Sequence, residues 1–227
     1  MKSIDDVCIL VQARLSSQRC NRKMIRPFAE TTLMDICLKK LVDSKIPNKN
    51  IWVSVYEDEL IELCKKYPIN IFYRSRKSAM SEGTPMTDMY EWWDKIDYKN
   101  VVFINACAPF LKKETIENFF YDYLKTKNNG MFGVIEKKNY FWDKNNTFLT
   151  PLKEAVMNTK TADPIKEAAH CLYASSLKSI GQGIWMGRFN VQDEITLWSM
   201  KEEETLDIDY EWQFKRYELI YRSEKVD

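Results

Sequence analysis

The chain has 227 residues, which suffice for one large domain or two small ones with a proper core. Its 34 Lys and Arg residues almost balance its 33 Asp and Glu residues, so the net charge of +1 argues against a general nucleic-acid or membrane-surface binder. A hydrophobic fraction of 45% excludes wholesale disorder. With only six glycines there are few places where backbone approaches a ligand freely, so we expect function to depend on side chains.

The six cysteines predict neither a disulfide framework nor a zinc site. None forms a Cys-x-x-Cys pair, and the Cys and His spacing supplies no paired metal ligands. Cys107 is a conceivable nucleophile, but the single histidine, His170, reads more simply as a strand residue with a satisfied ring. The longest early apolar run, residues 7–11, is too short for a signal peptide or a membrane span. We therefore expect a cytoplasmic protein.

Strand and helix patterns alternate through the first half of the chain. Apolar runs predict strands at 7–11, 51–55, 69–73 and 101–104, and periodic apolar residues predict helices at 33–41, 58–67, 84–95 and 116–124. Thr31 or Thr32 is the expected N-cap of the first helix. This alternation predicts an α/β fold with a mainly parallel sheet flanked by helices. Ligands of such sheets bind beyond the carboxyl ends of the strands.

The regular alternation ends near residue 130. Residues 131–135 predict a strand, residues 171–174 and 184–186 are possible further strands, and residues 210–222 predict a final helix. Residues 137–168 are polar, aromatic and weakly periodic. We interpret them as an excursion inserted into a single domain that spans residues 1–227.

A basic loop follows the first predicted strand. Arg14, Arg19, Arg22 and Lys23 bring four cations together with two serine hydroxyls between them. A polyphosphate needs such a cradle, because charge-assisted hydrogen bonds replace its lost hydration. A solvated surface loop explains the charge equally well.

An Asp-x-Asp pair precedes the final helix. In an extended segment Asp207 and Asp209 point to the same side, and two carboxylates beside phosphate oxygens are what Mg²⁺ requires. The alternative is that Asp209 caps the helix while Asp207 faces solvent. Asn105, after the fourth strand, could hydrogen-bond a substrate, and Arg74 lies in a charged run after the third; an ordinary connection and a solvated run are the plainer readings.

In order and spacing, these segments resemble the sugar-acid cytidylyltransferase family, the CMP-sialic acid and CMP-KDO synthetases. Residues 13–23 are similar to that family's A-R-x-G-S-x-R-[IL]-P-x-K fingerprint, 28–41 to its helix entry, 81–84 to its S-D-x-T loop, 105–110 to its Q-P-T-S-P-L segment and 206–209 to its I-D-I-D motif. Arg74 stands where the family has an arginine after the third strand. The resemblance covers nearly the whole chain.

The resemblance implies a Rossmann-like nucleotidyltransferase fold of the glycosyltransferase A type. A sugar hydroxyl would attack the α-phosphate of CTP and release pyrophosphate, with Arg14 and Lys23 as the catalytic cations and Mg²⁺ on Asp207 and Asp209. Asn105 would contact the acceptor. The implied nucleotide-binding residues are Ala13, Arg14, Ser17, Arg19, Lys23, Arg74 and Thr84.

The resemblance also implies a homodimer, in which residues 137–168 reach the second subunit. Tyr140, Phe141 and Trp142 would suit that contact, and a local hydrophobic mini-core is the alternative. The expected partners are CTP and an acidic sugar, with no nucleic acid and no membrane.

Some positions depart from the family pattern. Leu15 and Ser16 stand where glycine or another small residue is usual, Asn21 and Arg22 replace a Pro-Gly-like turn, and Asn105 is shorter than glutamine. We therefore expect a divergent member acting on a nonulosonic acid such as sialic acid or a relative. The competing hypotheses are a phosphorylated or phosphonate acceptor, a glycosyltransferase using the Asp-x-Asp pair, and a degenerate, non-catalytic nucleotide-binding protein.

Overall fold

The computed structural model describes residues 1–80, 84–150, 158–191 and 193–224. Its centre is a seven-stranded sheet in the order β3-β2-β1-β4-β6-β5-β7. The strands are β1 Val7–Gln12, β2 Ile51–Val55, β3 Asn70–Tyr73, β4 Asn100–Ile104, β5 Gly130–Lys137, β6 Ile165–Ser176 and β7 Ile195–Ser199. Only β6 runs against its neighbours, β4 and β5, and the other pairs are parallel. The prediction of a mainly parallel sheet is confirmed.

Helices cover both faces of this sheet. They are α1 Leu33–Val42, α2 Asp58–Cys64, α3 Arg76–Ala79, α4 Met86–Met89, α5 Lys113–Lys125, α6 Leu177–Gly181 and α7 Glu211–Glu224. Short 3₁₀ turns occur at Ile4–Asp6, Asn48–Asn50, Thr159–Thr161 and Glu202–Glu204. Thr32 is the N-cap of α1, because its hydroxyl accepts the Asp35 N–H at 3.0 Å. No helix in the described part of the chain is long and apolar enough to cross a membrane.

The continuous apolar run of β1 is explained by burial on two sides. Val7, Ile9 and Val11 face the main core, which α1 and α5 help to form. Cys8 and Leu10 face a second core that contains Trp92. All five side chains of the run are fully buried. A strand with one solvated face would have alternated instead.

Two predicted elements differ from the structure. The helix expected at 84–95 is only the short α4, after which the chain turns at Tyr90, and Trp92 lies fully buried in the second core. Residues 184–186 form no strand, and the seventh strand is β7, which pairs with β5. Thus tertiary packing of large aromatic residues overrides helical periodicity, and β7 is an edge strand that the sequence prediction missed.

The excursion leaves the sheet at the end of β5 and returns in β6. Its described tip is a small hairpin in which Trp142 and Phe148 form an antiparallel bridge, with ring centroids 5.4 Å apart. Tyr140 packs on both rings. Residues 151–157 lie outside the described part of the chain. The aromatic residues therefore pack locally, while Trp142 remains 56% exposed.

Candidate functional site

Two cavities lie at the carboxyl ends of the central strands. The first, of about 160 Å³, lies beyond β1 and β3 and is called the β1 cavity; it is lined by Gln12, Ala13, Arg14, Arg74, Ser78, Ala79 and Met89. The second, of about 490 Å³, lies beyond β4 and β6 and is called the bulge cavity; its lining includes Asn105, Lys137, Glu167, His170, Glu202, Asp207 and Asp209. The structure thus divides most of the predicted site residues between two neighbouring spaces at one sheet edge.

Two arginines meet in the β1 cavity. The Arg14 guanidinium lies 3.4 Å from the Ala79 carbonyl oxygen, and the backbone N–H of Arg74 donates to Val55 at the end of β2. Arg74 is only 5% exposed, and its Nε has no partner in the protein. Burial lowers the pKa of Arg74 to about 10; Glu57 opposes this shift and Arg14 adds to it. The cavity therefore holds a buried cation with an unused donor.

The four cations of the basic loop have different partners. Arg19 pairs with a carboxylate oxygen of Asp209 at 2.9 Å, and the Lys23 ammonium lies 3.5 Å from the other oxygen. Lys23 also donates to the Ile208 carbonyl oxygen. Arg22 instead pairs with Glu59 on α2. The interpretation of the whole loop as a solvated surface therefore does not hold for Lys23, which is 9% exposed and linked to a segment 185 residues away.

The electrostatics around Lys23 favour its charged form. Burial is the largest influence on the pKa of Lys23 and lowers it, but Cys107, Asp207 and Asp209 together outweigh burial and raise it. Burial raises the pKa of Cys107 to about 11. A thiol with that pKa is protonated at neutral pH, so the structure does not support Cys107 as a nucleophile.

The two aspartates face the same cavity from an extended segment. The Ile208 N–H donates to the Cys107 carbonyl oxygen at 3.0 Å, and the Ile208 side chain is fully buried between them. The side chain of Gln213, rather than that of Asp209, caps α7 by accepting the N–H groups of Asp209 and Tyr210 at 2.7 and 2.8 Å. The carboxylate of Asp209 contacts Arg19 and Lys23, so the ion-pairing interpretation is favoured over capping.

Asp207 has the more unusual environment. Its Oδ1 is buried without a hydrogen-bond partner, and burial raises the pKa of its carboxyl group, which Lys23 lowers and Asp209 raises further. No cluster of three or more His, Cys, Asp or Glu side chains suited to a metal occurs among the described residues. Two carboxylates with one orphaned oxygen fit Mg²⁺, which keeps several water ligands and takes others from phosphates.

Asn105 is held at both ends of its amide. Its Oδ1 accepts the Cys107 N–H at 2.9 Å, and its Nδ2 donates to the His170 carbonyl oxygen at 3.0 Å. The Asn105 amide also stabilises the charged form of Asp207. Asn105 therefore joins β4, β6 and the metal-type carboxylate at the rim of the bulge cavity.

His170 is not the simple strand histidine that its sequence context predicts. It lies at a bulge in β6, where the pairing with β5 changes register between Phe132 and Val134. Its φ of 54° is left-handed, and its side chain is exposed at the bulge cavity. Such backbone strain in a non-glycine residue concentrates at functional sites. Sequence reasoning missed this residue because period-2 patterns do not reveal a bulge.

Two other predicted residues lie outside the cavities. The Thr84 hydroxyl donates to the Met80 carbonyl oxygen at 2.8 Å, and its neighbours 81–83 are outside the described residues. Ser17 is half-buried in the basic loop, where its N–H donates to the Leu15 carbonyl oxygen. Neither side chain is among those lining the β1 cavity.

The substitution of Leu15 for a small residue has a visible consequence. The Leu15 N–H donates to a Glu57 carboxylate oxygen at 2.8 Å, and the Leu15 side chain is buried. This backbone N–H is therefore engaged within the protein and is not free to face an anion. Side-chain cations supply the positive charge of the loop instead.

Several solved structures share this architecture. The structure of CMP:2-keto-3-deoxy-manno-octonic acid synthetase complexed with CTP matches with a TM-score of 0.67 at 10% identity, over 96% of this chain and 99% of that one. A 4-diphosphocytidyl-2C-methyl-D-erythritol synthase from Anaerococcus prevotii gives 0.66 at 12% identity, over 96% and 97%. A cytidylyltransferase from Leptospira borgpetersenii gives 0.64 at 15% identity, over 96% and 87%. The fold is thus the Rossmann-like fold of nucleotidyltransferases.

The sequence places the chain more narrowly. The cytidylyltransferase family model matches residues 8–180, which include β1, the basic loop and β4 to β6. The chain therefore belongs to the cytidylyltransferase family. No curated protein sequence matches it significantly.

Proposed function

We propose that this protein transfers CMP from CTP to an acidic sugar, a nonulosonic acid such as sialic acid or a relative, with release of pyrophosphate. The observation that carries the proposal is the position of Lys23. Its ammonium lies between the basic loop after β1 and the Asp207–Asp209 segment near the other end of the chain. Phosphate-binding cations and metal-type carboxylates thereby occur at one place, which supports the enzyme over a degenerate binding protein.

The basic loop would bind the triphosphate. Arg14, Arg19 and Lys23 lie on the sheet edge between the two cavities, and Arg14 also lines the β1 cavity. Cations fixed there would hold the phosphates and offset the negative charge that grows on the pyrophosphate leaving group. Such phosphoryl transfer depends on positioning and electrostatics, so it needs no nucleophilic side chain, in agreement with the protonated Cys107.

Asp207 and Asp209 would hold Mg²⁺. A bound Mg²⁺ neutralises phosphate charge and orients the α-phosphate. In the protein alone Arg19 and Lys23 take that place beside Asp209, and we infer that these cations turn to phosphate oxygens when the nucleotide binds. The orphaned oxygen of Asp207 is already directed into a site without a protein partner.

The bulge cavity would take the acceptor. Asn105 and His170 offer polar contacts at its rim, and Lys137 lies 3.9 Å from Glu167 and pairs also with Glu202. With these acids and the two aspartates, the lining of one subunit is too negative for an acidic sugar by itself. In the homodimer that we propose, the excursion would bring further lysines, Lys138, Lys144 and Lys160, to the cavity of the other subunit.

Pyrophosphate release tests this function. The protein is incubated with CTP, Mg²⁺ and a panel of sialic acid, KDO and related sugar acids, with phosphorylated and phosphonate acceptors as a second arm. Release with a sugar acid supports the proposal, and release only in the second arm identifies the alternative acceptor class. Tight CTP binding without release from any acceptor would indicate a non-catalytic nucleotide-binding protein.

A further inference from the structure

Gln12, the last residue of β1, projects into the β1 cavity beside Arg14 and Arg74. It points to the same face of the sheet as Leu10, toward the second core and Trp92. The sequence motifs assign it no role. At about 160 Å³ the cavity is well below the roughly 300 Å³ of a whole-ligand pocket, so it suits one part of a ligand, such as a single base ring.

The orientation of the Gln12 amide is fixed by the chemistry of its partners. Trp92 Nε1 lies 2.8 Å from Gln12 Oε1, and an indole N–H is a donor only. The amide Nε2 lies 3.4 Å from the Met89 carbonyl oxygen, which is an acceptor only. A flipped amide would place a donor against a donor and an acceptor against an acceptor. Trp92 is fully buried, so it has no room to turn away.

These two contacts leave one Gln12 N–H and one carbonyl lone pair unused. Arg74 Nε adds a buried donor without a partner. The hydroxyl of Ser78, the other polar side chain of the lining, already donates to the Met89 carbonyl oxygen at 2.8 Å. The unused groups are therefore an adjacent donor and acceptor on one amide, next to a guanidinium donor.

We propose that Gln12, locked by Trp92, is a specificity-determining residue that selects cytosine over uracil. The amide would donate to N3 of cytosine and accept from its N4 amino group, while Arg74 donates to O2. Uracil presents the opposite pattern, an N3–H and an O4 acceptor, so both amide contacts become repulsive. This inference rests on the proposed function, because it assumes that the β1 cavity takes the base.

Nucleotide binding without an acceptor tests the inference. Dissociation constants for CTP and UTP are measured by calorimetry with Mg²⁺ for the wild type, Gln12→Leu, Gln12→Glu and Trp92→Phe. The control is Gln182→Leu, the same change at an exposed position in the turn after α6. Thermal unfolding identifies any variant that does not fold.

We expect the wild type to bind CTP at least about tenfold more tightly than UTP, as one unpaired polar contact requires. Gln12→Leu and Gln12→Glu should lower CTP affinity by about tenfold and bring the ratio close to one. Trp92→Phe, which frees the amide to flip, should narrow the ratio mainly by improving UTP binding. The control should match the wild type.

An unchanged CTP-to-UTP ratio in the folded Gln12 variants would overturn the inference and leave the proposed function standing. A wild type that binds both nucleotides equally would do the same. A wild type that binds neither nucleotide would overturn the proposed function as well. Should Gln12→Leu not fold, the near-isosteric Gln12→Glu still decides the question.

Discussion

The β1 cavity with its basic loop and the bulge cavity are built in different ways. In the first, nearly every polar group has a defined partner: Gln12 meets Trp92, Lys23 meets Ile208 and the Leu15 N–H meets Glu57. In the second, Lys137 is shared between two glutamates and His170 has left-handed backbone. The contrast suggests a preorganised nucleotide side and an acceptor side that awaits further groups, so variants of the two sides should fail in different kinetic parameters.

The largest loss is expected for Lys23→Ala on the nucleotide side. Removing this ammonium takes away a phosphate-binding cation, and it also leaves Asp207 and Asp209 without a nearby compensating charge. We expect turnover to fall by about 100-fold or more, measured as pyrophosphate release at saturating CTP and acceptor. Lys39→Ala, on the exposed side of α1, is the matched control. Activity within tenfold of the wild type would remove Lys23 from the catalytic machinery.

A smaller and sharper difference separates two arginines of the same loop. Arg19 pairs with Asp209, whereas Arg22 pairs with Glu59 on α2. Arg19→Ala should weaken CTP binding by about tenfold, because a charge-assisted contact to phosphate contributes about 1.5–3 kcal/mol and this side chain is half exposed. Arg22→Ala should leave CTP binding unchanged. Equal losses in titrations of CTP would show that the loop acts only through its total charge.

The smallest effect is expected on the acceptor side, at His170. His170→Gly removes the ring and relieves the left-handed backbone, whereas His170→Ala removes the ring and keeps the strain. Both variants should raise the KM for the acceptor several-fold and leave CTP affinity unchanged. Only the glycine variant should gain stability, roughly 2–4 °C in Tm for a chain of this size. A parallel loss of CTP affinity in both would show that the two cavities are not separable.

Much of the nucleotide side could be predicted from the sequence. The strand rule selects the segments after β1, β3 and β4, and local composition identifies Arg14, Lys23 and the Asp207–Asp209 pair. The structure brings those residues to one edge as predicted. The roles of these residues remain predictions, as do the bound Mg²⁺ and the dimer.

The acceptor side was poorly predicted for a physical reason. Its residues come from β5, from the bulge of β6 and from the 3₁₀ turn Glu202–Glu204, which are distant in the chain and carry no shared motif. The bulge displaces His170 from the position that regular alternation would give it. The role of Gln12 was invisible for a similar reason, since its orientation depends on Trp92, 80 residues away.

The sequence by itself determined the mainly parallel α/β sheet, because two-sided burial of strands such as β1 leaves an unbroken apolar run. It also determined the loop in which cations gather and the carboxylate pair that complements them, since these groups are close together along the chain. Only the tertiary structure decided which cation meets Asp209, how the Gln12 amide is oriented and where β6 bulges. Those features depend on contacts between residues far apart in sequence, and such contacts exist only once the cores on both faces of the sheet have packed.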